Sequence, residues 1–331
     1  MASRFWVGGS GTWDAVNTAN WSTTSGGVGG ASVPTSADNP TLDAASGTVL
    51  VTLGADATVL RFLCAGFTGT VDFSTFKISI VGNAATVFNA SNEMQALGSK
   101  KVELTYSGST GTRTTSTGIK NSANALNFYV TAGSDIVSGL TYSNILNFTG
   151  FNGTLTNATK ISFGNLTCSS GMTISSGAFT TTFSGTSGTQ QITTAGKTFD
   201  FPLNFNGVGG TFAFQDALTQ GSTRNFTVIN GTVQLKASAT STVGAFVTSG
   251  TNQKFLQSTL AGSQATLSQA SGTVSTSYLT IKDINATGGA TWNAFVSNGN
   301  VDSGNNTGWD FFVQLGRYIY TRRKNKVIFQ S

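Results

Sequence analysis

The stretch GTVLVTL, residues 47–53, reads as a short β-strand entered through glycine. The same Gly-Thr-Val or Gly-Thr-Leu opening recurs at positions 69, 153, 231 and 272. The steps of 22, 84, 78 and 41 residues are close to small multiples of a unit of about 20 to 21. Short strands alone would suit a sandwich, a barrel or a solenoid. A repeat near 20 selects a parallel β-solenoid, in which each coil hydrogen-bonds to the next at roughly 4.8 Å.

Strand signals continue along the chain, in TVDFSTFKISIVG, KKVELTYSG, NALNFYVTAG, TFDFPLNFNG and NFTVINGTVQLKAS. The alternation of Phe199, Phe201, Leu203 and Phe205 points one set of side chains inward. Helical periodicity is nearly absent, and NASNEMQALGSK, residues 89–100, is the best candidate for a single helical turn. All five tryptophans lie near the two ends: Trp6, Trp13 and Trp21, then Trp292 and Trp309. A stack with a uniform interior of medium side chains needs something different over its terminal coils, and large aromatics suit that role. The expected organisation is an N-terminal cap over 1–46, with Pro34 and Pro40 breaking regular pairing. A solenoid of about a dozen coils follows over 47–287, then a closing segment over 288–310 and a tail over 311–331.

Charged residues make up only 9%, but the 24 Phe and abundant β-branched residues exclude a disordered chain. The net charge of +5 belongs to the end. Residues 1–310 balance 13 basic against 13 acidic side chains, so the body is a poor match for nucleic-acid phosphates. Cys64 and Cys168 stand far apart in apolar surroundings and read as buried fillers. No apolar run approaches the ~18 residues of a membrane span. The start MASRFWVGGSGTW lacks the features of a secretory signal, so synthesis and retention in a cytoplasm are expected. The Asn-X-Ser/Thr sequons, such as Asn147-Phe148-Thr149, then follow from composition.

The chain contains no histidine, which removes the usual general base and every Ser-His-Asp or Cys-His arrangement. No phosphate loop, cofactor motif or metal motif is present, and no catalytic residue is assigned. A glycan-cleaving site would need two carboxyls roughly 5 to 10 Å apart. The candidates are Glu93 and Glu103, and three Asp pairs at near-coil spacing: Asp56 with Asp72, Asp200 with Asp216, Asp283 with Asp302. Asp at turns ordinarily caps backbone amides, which is the preferred reading.

The tail GRYIYTRRKNKVIFQS, residues 316–331, places five basic residues among aromatic and aliphatic ones. Lys324-Asn325 suits the turn of a β-hairpin. Arg317, Tyr318, Tyr320, Arg322, Arg323, Lys324, Lys326 and Phe329 are then candidate partner-docking residues, acting by strand addition and ion pairing. A membrane-surface segment, a nucleic-acid contact and a solubility tail compete with docking.

The opening resembles phage structural proteins of the tail-fibre-like group, which are expected to be parallel β-helices. The residues that carry the resemblance are Trp6-Val7-Gly8-Gly9, Trp13, Asn20-Trp21-Ser22, Val33-Pro34, Asp38 and Asp43. The ending is similar through Asp302, Gly304-Asn305-Asn306 and Gly308-Trp309. The basic tail lies outside that pattern. The resemblance implies a non-enzymatic virion protein, either a tail fibre or spike or a capsid decoration, made in the host cytoplasm. Its partners would be other capsid or tail proteins and host surface glycans, and by analogy with fibres it would form a homotrimer. A polysaccharide-cleaving tailspike and a bacterial surface adhesin are the alternatives.

Overall fold

The computed structural model describes residues 2–331 apart from 83–84, 91–93, 106–110, 118–124, 141, 157–159, 163, 178–179, 312, 316–317, 324–325 and 329–331. The protein is all-β, a solenoid of about 10 turns built from parallel stacked strands. It divides into two compact units, Met1–Ser175 and Ser176–Ser331.

In the first unit, one face stacks Ala2–Trp6, Asp38–Thr41, Phe62–Cys64, Thr86–Ala90, Thr112–Thr117, Ile136–Ser138, Thr154–Leu155 and Thr173–Ile174, all parallel. A second face holds Gly11–Trp13, Leu50–Leu53, Thr70–Asp72 and Gln95–Leu97. A third begins with Ala57–Val59, Lys77–Ile80, Lys101–Thr105 and Leu126–Ala132. In-register pairing carries like side chains into columns. Val59, Ile80, Leu104 and Val130 are successive partners, and all are fully buried.

The second unit repeats the three-sided plan. The strands Leu203–Phe214 and Asn225–Leu235 each run across two faces, with register shifts after Phe205 and Asn206. The third face stacks Thr198–Phe199, Thr219–Gln220, Thr240–Val243, Ala265–Gln269 and Ile284–Thr287. The bend between the first two faces depends on glycine. Gly231 has φ +84, and a Cβ there would stand 2.3 Å from the Gly207 carbonyl oxygen of the preceding turn.

The cores are more aromatic than the sequence suggested. In the first unit, Trp6, Trp21, Trp13, Phe62, Phe88 and Phe128 form a continuous chain of ring contacts, with centroids 5.0 to 5.9 Å apart. In the second, Phe183, Phe205, Phe226 and Phe246 lead to Trp309, which meets Trp292 edge-on at 4.9 Å. The expected interior of uniform medium side chains is therefore corrected to two aromatic columns, each with its tryptophans at one end. All five tryptophans are buried.

The stacking already begins at Ala2, because Ala2–Trp6 pairs in parallel with Asp38–Thr41. Its other edge pairs antiparallel with Trp21–Ser22. Pro40 sits inside that parallel register opposite Arg4 rather than breaking it. The flanking amides still find partners, since Leu42 N–H donates to Leu63 and Leu60 N–H to the Asp38 carbonyl.

Coil length is not constant. Side-chain bonds between consecutive turns join residues 17 apart (Asn127 and Asn144), 20 apart (Thr48 and Thr68) and 26 apart (Thr105 and Thr131). The Gly-Thr-Val tripeptides fall on different faces: Gly69 precedes Thr70–Asp72, whereas Gly231 lies within Asn225–Leu235. They mark local turn-to-strand steps. Within the candidate helical turn, Thr86–Ala90 and Gln95–Leu97 are strands instead and Ala96 pairs with Val71, while 91–93 lie outside the described residues. The alternating phenylalanines turn a corner, Thr198–Phe199 belonging to one face and Leu203–Phe214 to another. Phe199, Phe201, Leu203 and Phe205 all face the core.

Candidate functional site

The described carboxylates of the three sequence pairs are each engaged in holding backbone or a neighbouring turn. Asp56 accepts from Lys77 N–H of the next coil at 3.0 Å, and Asp72 closes a local turn on Ser74 N–H at 2.8 Å. Asp200 pairs with Arg224 at 2.7 Å. Asp216 receives Thr194 N–H at 2.8 Å and Ala195 N–H at 2.7 Å. Asp283 accepts from Gly262 N–H at 3.1 Å and the Asn305 amide at 2.6 Å. Asp302 accepts from Gly304 N–H and the Asn306 amide. Glu103 binds Lys77 at 2.8 Å, with Lys101 at 3.8 Å, and Glu93 lies outside the described residues. Chemically this is the arrangement of turn caps and cross-turn ties.

A cleft of about 210 Å³ in the first unit is lined by Trp13, Asp14, Pro34, Thr35, Asp56 and Thr58. Hydrogen bonds from Asn17 N–H and then Val16 N–H hold the Asp14 carboxyl below the usual carboxylate range. Nearby, burial pushes the Asp38 carboxyl upward, but the Thr35 hydroxyl and N–H, with Arg4, outweigh it and leave its pKa lowered. Asn20 closes the adjoining strand edge, its amide donating to the Thr12 carbonyl at 2.9 Å. No group of three or more Cys, Asp or Glu among the described residues could hold a metal. No helix among them is long and apolar enough to cross a membrane. Cys64 and Cys168 are buried and form no disulfide, and burial pushes the Cys64 thiol well up.

Two buried charged groups escaped the sequence reading. Arg113 and Asp135 pair at 3.2 Å on neighbouring turns and are buried. Lys254 is fully buried while its neighbour Phe255 faces outward, the reverse of what hydrophobicity suggests. Its Nζ donates to the carbonyls of Gly250, Ser277 and Tyr278, and burial holds its pKa below the lysine norm. The only signal in the sequence was the strand phase set by Leu256, which must point inward.

The tail is an antiparallel meander of Val313–Leu315, Tyr318–Arg323 and Lys326–Ile328. The expected hairpin is its last two strands, with Arg322 opposite Val327 and Arg323 opposite Lys326. Tyr318 and Tyr320 lie opposite Leu315 and Val313. Arg317, Lys324, Asn325 and Phe329 lie outside the described residues. The tail thus differs in strand direction from the parallel ladders.

The chain matches no known family model, no curated protein and no solved structure.

Proposed function

We propose that this protein is a non-enzymatic structural component of a phage particle, a tail fibre or spike or a capsid decoration. Its solenoid faces host glycans or the particle surface, and its basic tail docks it to another virion protein. The observation that carries this reading is the division of labour along the chain. A formally neutral body spends its carboxylates on turns and ties between turns, whereas five basic residues and no acid fall within 311–331, where the described strands are antiparallel and carry Arg322, Arg323 and Lys326. Antiparallel strands suit strand addition, and a local positive charge suits docking on an acidic partner. The terminal motifs, which resemble those of phage structural proteins, support the same direction, with the tryptophan clusters as covers over the first and last turns.

Deleting 311–331 tests the docking. The truncated chain is expected to keep its far-UV circular dichroism and melting behaviour but to be absent from purified particles. Normal occupancy of particles by the truncated chain would reject the reading. Mass measurement of the free protein checks the expected trimer.

A further inference from the structure

The second unit carries a cleft, lined mostly by residues with polar side chains, that none of the turn-capping roles absorbs. It measures about 200 Å³ and is lined by Gln234, Gln257 and Lys282, with Ser258, Thr259 and Asp283. The first three are direct register partners on consecutive turns, Gln234 opposite Gln257 and Gln257 opposite Lys282. All three face away from the core, their flanking residues being buried.

Their state differs from that of a neighbouring polar ladder. On the same unit, Asn206, Asn230 and Asn252 bond to one another through their amides at 2.7 and 2.9 Å, closing a side-chain ladder. Among the described residues the Gln234 and Gln257 amides and the Lys282 ammonium make no such bond. The other polar groups are fixed. Asp283 is buried and holds Gly262 N–H and Asn305. Thr259 accepts from Ala237 N–H and Ser258 from Leu260 N–H, and each keeps its own O–H free to donate. Two planar amides, two hydroxyl donors and one ammonium therefore converge on a space whose only acid is already satisfied.

We propose that this cavity binds one sugar ring bearing a carboxylate, within a longer surface glycan. The amides match vicinal hydroxyls, because each offers donors and an acceptor in one plane. The ammonium offers a point charge to one anionic group of the ring, here its carboxylate. The volume lies below the roughly 300 Å³ at which drug-sized pockets begin, which suits one ring rather than an extended ligand. The inference rests on the glycan-contact half of the proposed function and is independent of the docking half.

The test is binding of the full chain to a printed panel of uronate-containing, sialylated and neutral oligosaccharides, followed by titration of the best binder. Carboxylated glycans should bind above neutral ones. Lys282→Gln should weaken them about tenfold while sparing neutral sugars, the loss of one charge-assisted contact. Gln257→Ala should weaken both classes, and Lys236→Gln, an exposed charge outside the cavity, should weaken neither. Preference for neutral sugars overturns the proposal. Unchanged binding in both cavity variants also overturns it, but leaves host-glycan contact standing at another surface. No binding to any member of the panel overturns both, while particle docking is judged separately by the truncation.

Discussion

Lys254 stands fully buried, its ammonium surrounded by three backbone carbonyls, with no carboxylate partner among the described residues. Burial disfavours the charged form and lowers its pKa from the usual 10.5. The sign of the consequence follows from proton counting. Between the lowered folded value and 10.5, the unfolded chain holds a proton that the folded chain has released. Stability therefore climbs with pH across that interval, and at neutral pH the cost of burying the charge is fully present. Urea unfolding from pH 8 upward should show the wild type gaining on Lys254→Met as the pH approaches 10.5; parallel profiles would contradict this. The residue shows why single-position reading fails here. Composition would bury Phe255 and expose Lys254, but Leu256 and its partners Val233 and Ile281 set the strand's phase. An alternating strand cannot satisfy both.

Between neighbouring strands, the repeating contact is a pair of register partners on successive turns. Most such pairs are apolar or hydroxyl-bearing, as in the Val59–Ile80–Leu104–Val130 column. The Arg113–Asp135 tie is a buried charged one, joining Thr112–Thr117 to the residue just before Ile136–Ser138. Removing one member of a buried pair leaves the other charge uncompensated, which typically costs about 3 to 5 kcal/mol. Asp135→Ala should lower the denaturation midpoint accordingly, and a double replacement of both residues by apolar ones should recover much of the loss. A double variant no better than Asp135→Ala would mean that the pair itself supplies the stability. Strands were readable in the sequence because Phe, Val, Ile and Thr alternate between Gly, Asn and Ser corners. Their pairing partners were less so, because turns of unequal length share no single period. Of the six Asp of the candidate pairs, Asp72 and Asp302 cap local turns as read from the sequence, Asp56, Asp216 and Asp283 accept amides of neighbouring turns, and Asp200 pairs with Arg224 instead. The cavity over Gln234, Gln257 and Lys282 was hidden because it exists only once three separate turns come into register.

Across the whole molecule, stability in a stacked fold is close to a sum over turns and their neighbours. A first or last turn has a neighbour on one side only, so it opens most readily unless something covers it. The strand Trp21–Ser22 closes the outer edge of Ala2–Trp6, and Trp21 meets Trp6 and Trp13 edge-on at 5.2 and 5.0 Å. Because every tryptophan lies in such a segment, indole fluorescence reports on the terminal turns while far-UV circular dichroism reports on all the strands. In the wild type the two signals should be lost together, the aromatic covers being as firm as the ladders they close. Trp21→Ala removes a fully buried indole, a change that costs about 3 to 5 kcal/mol where a cavity remains. In that variant part of the fluorescence should disappear at lower urea than the circular dichroism, as Trp6 and Trp13 become exposed before the remaining turns melt. Superimposed curves in Trp21→Ala would show that the first turn is held by its backbone pairing alone, and that the tryptophans there fill space without guarding the edge.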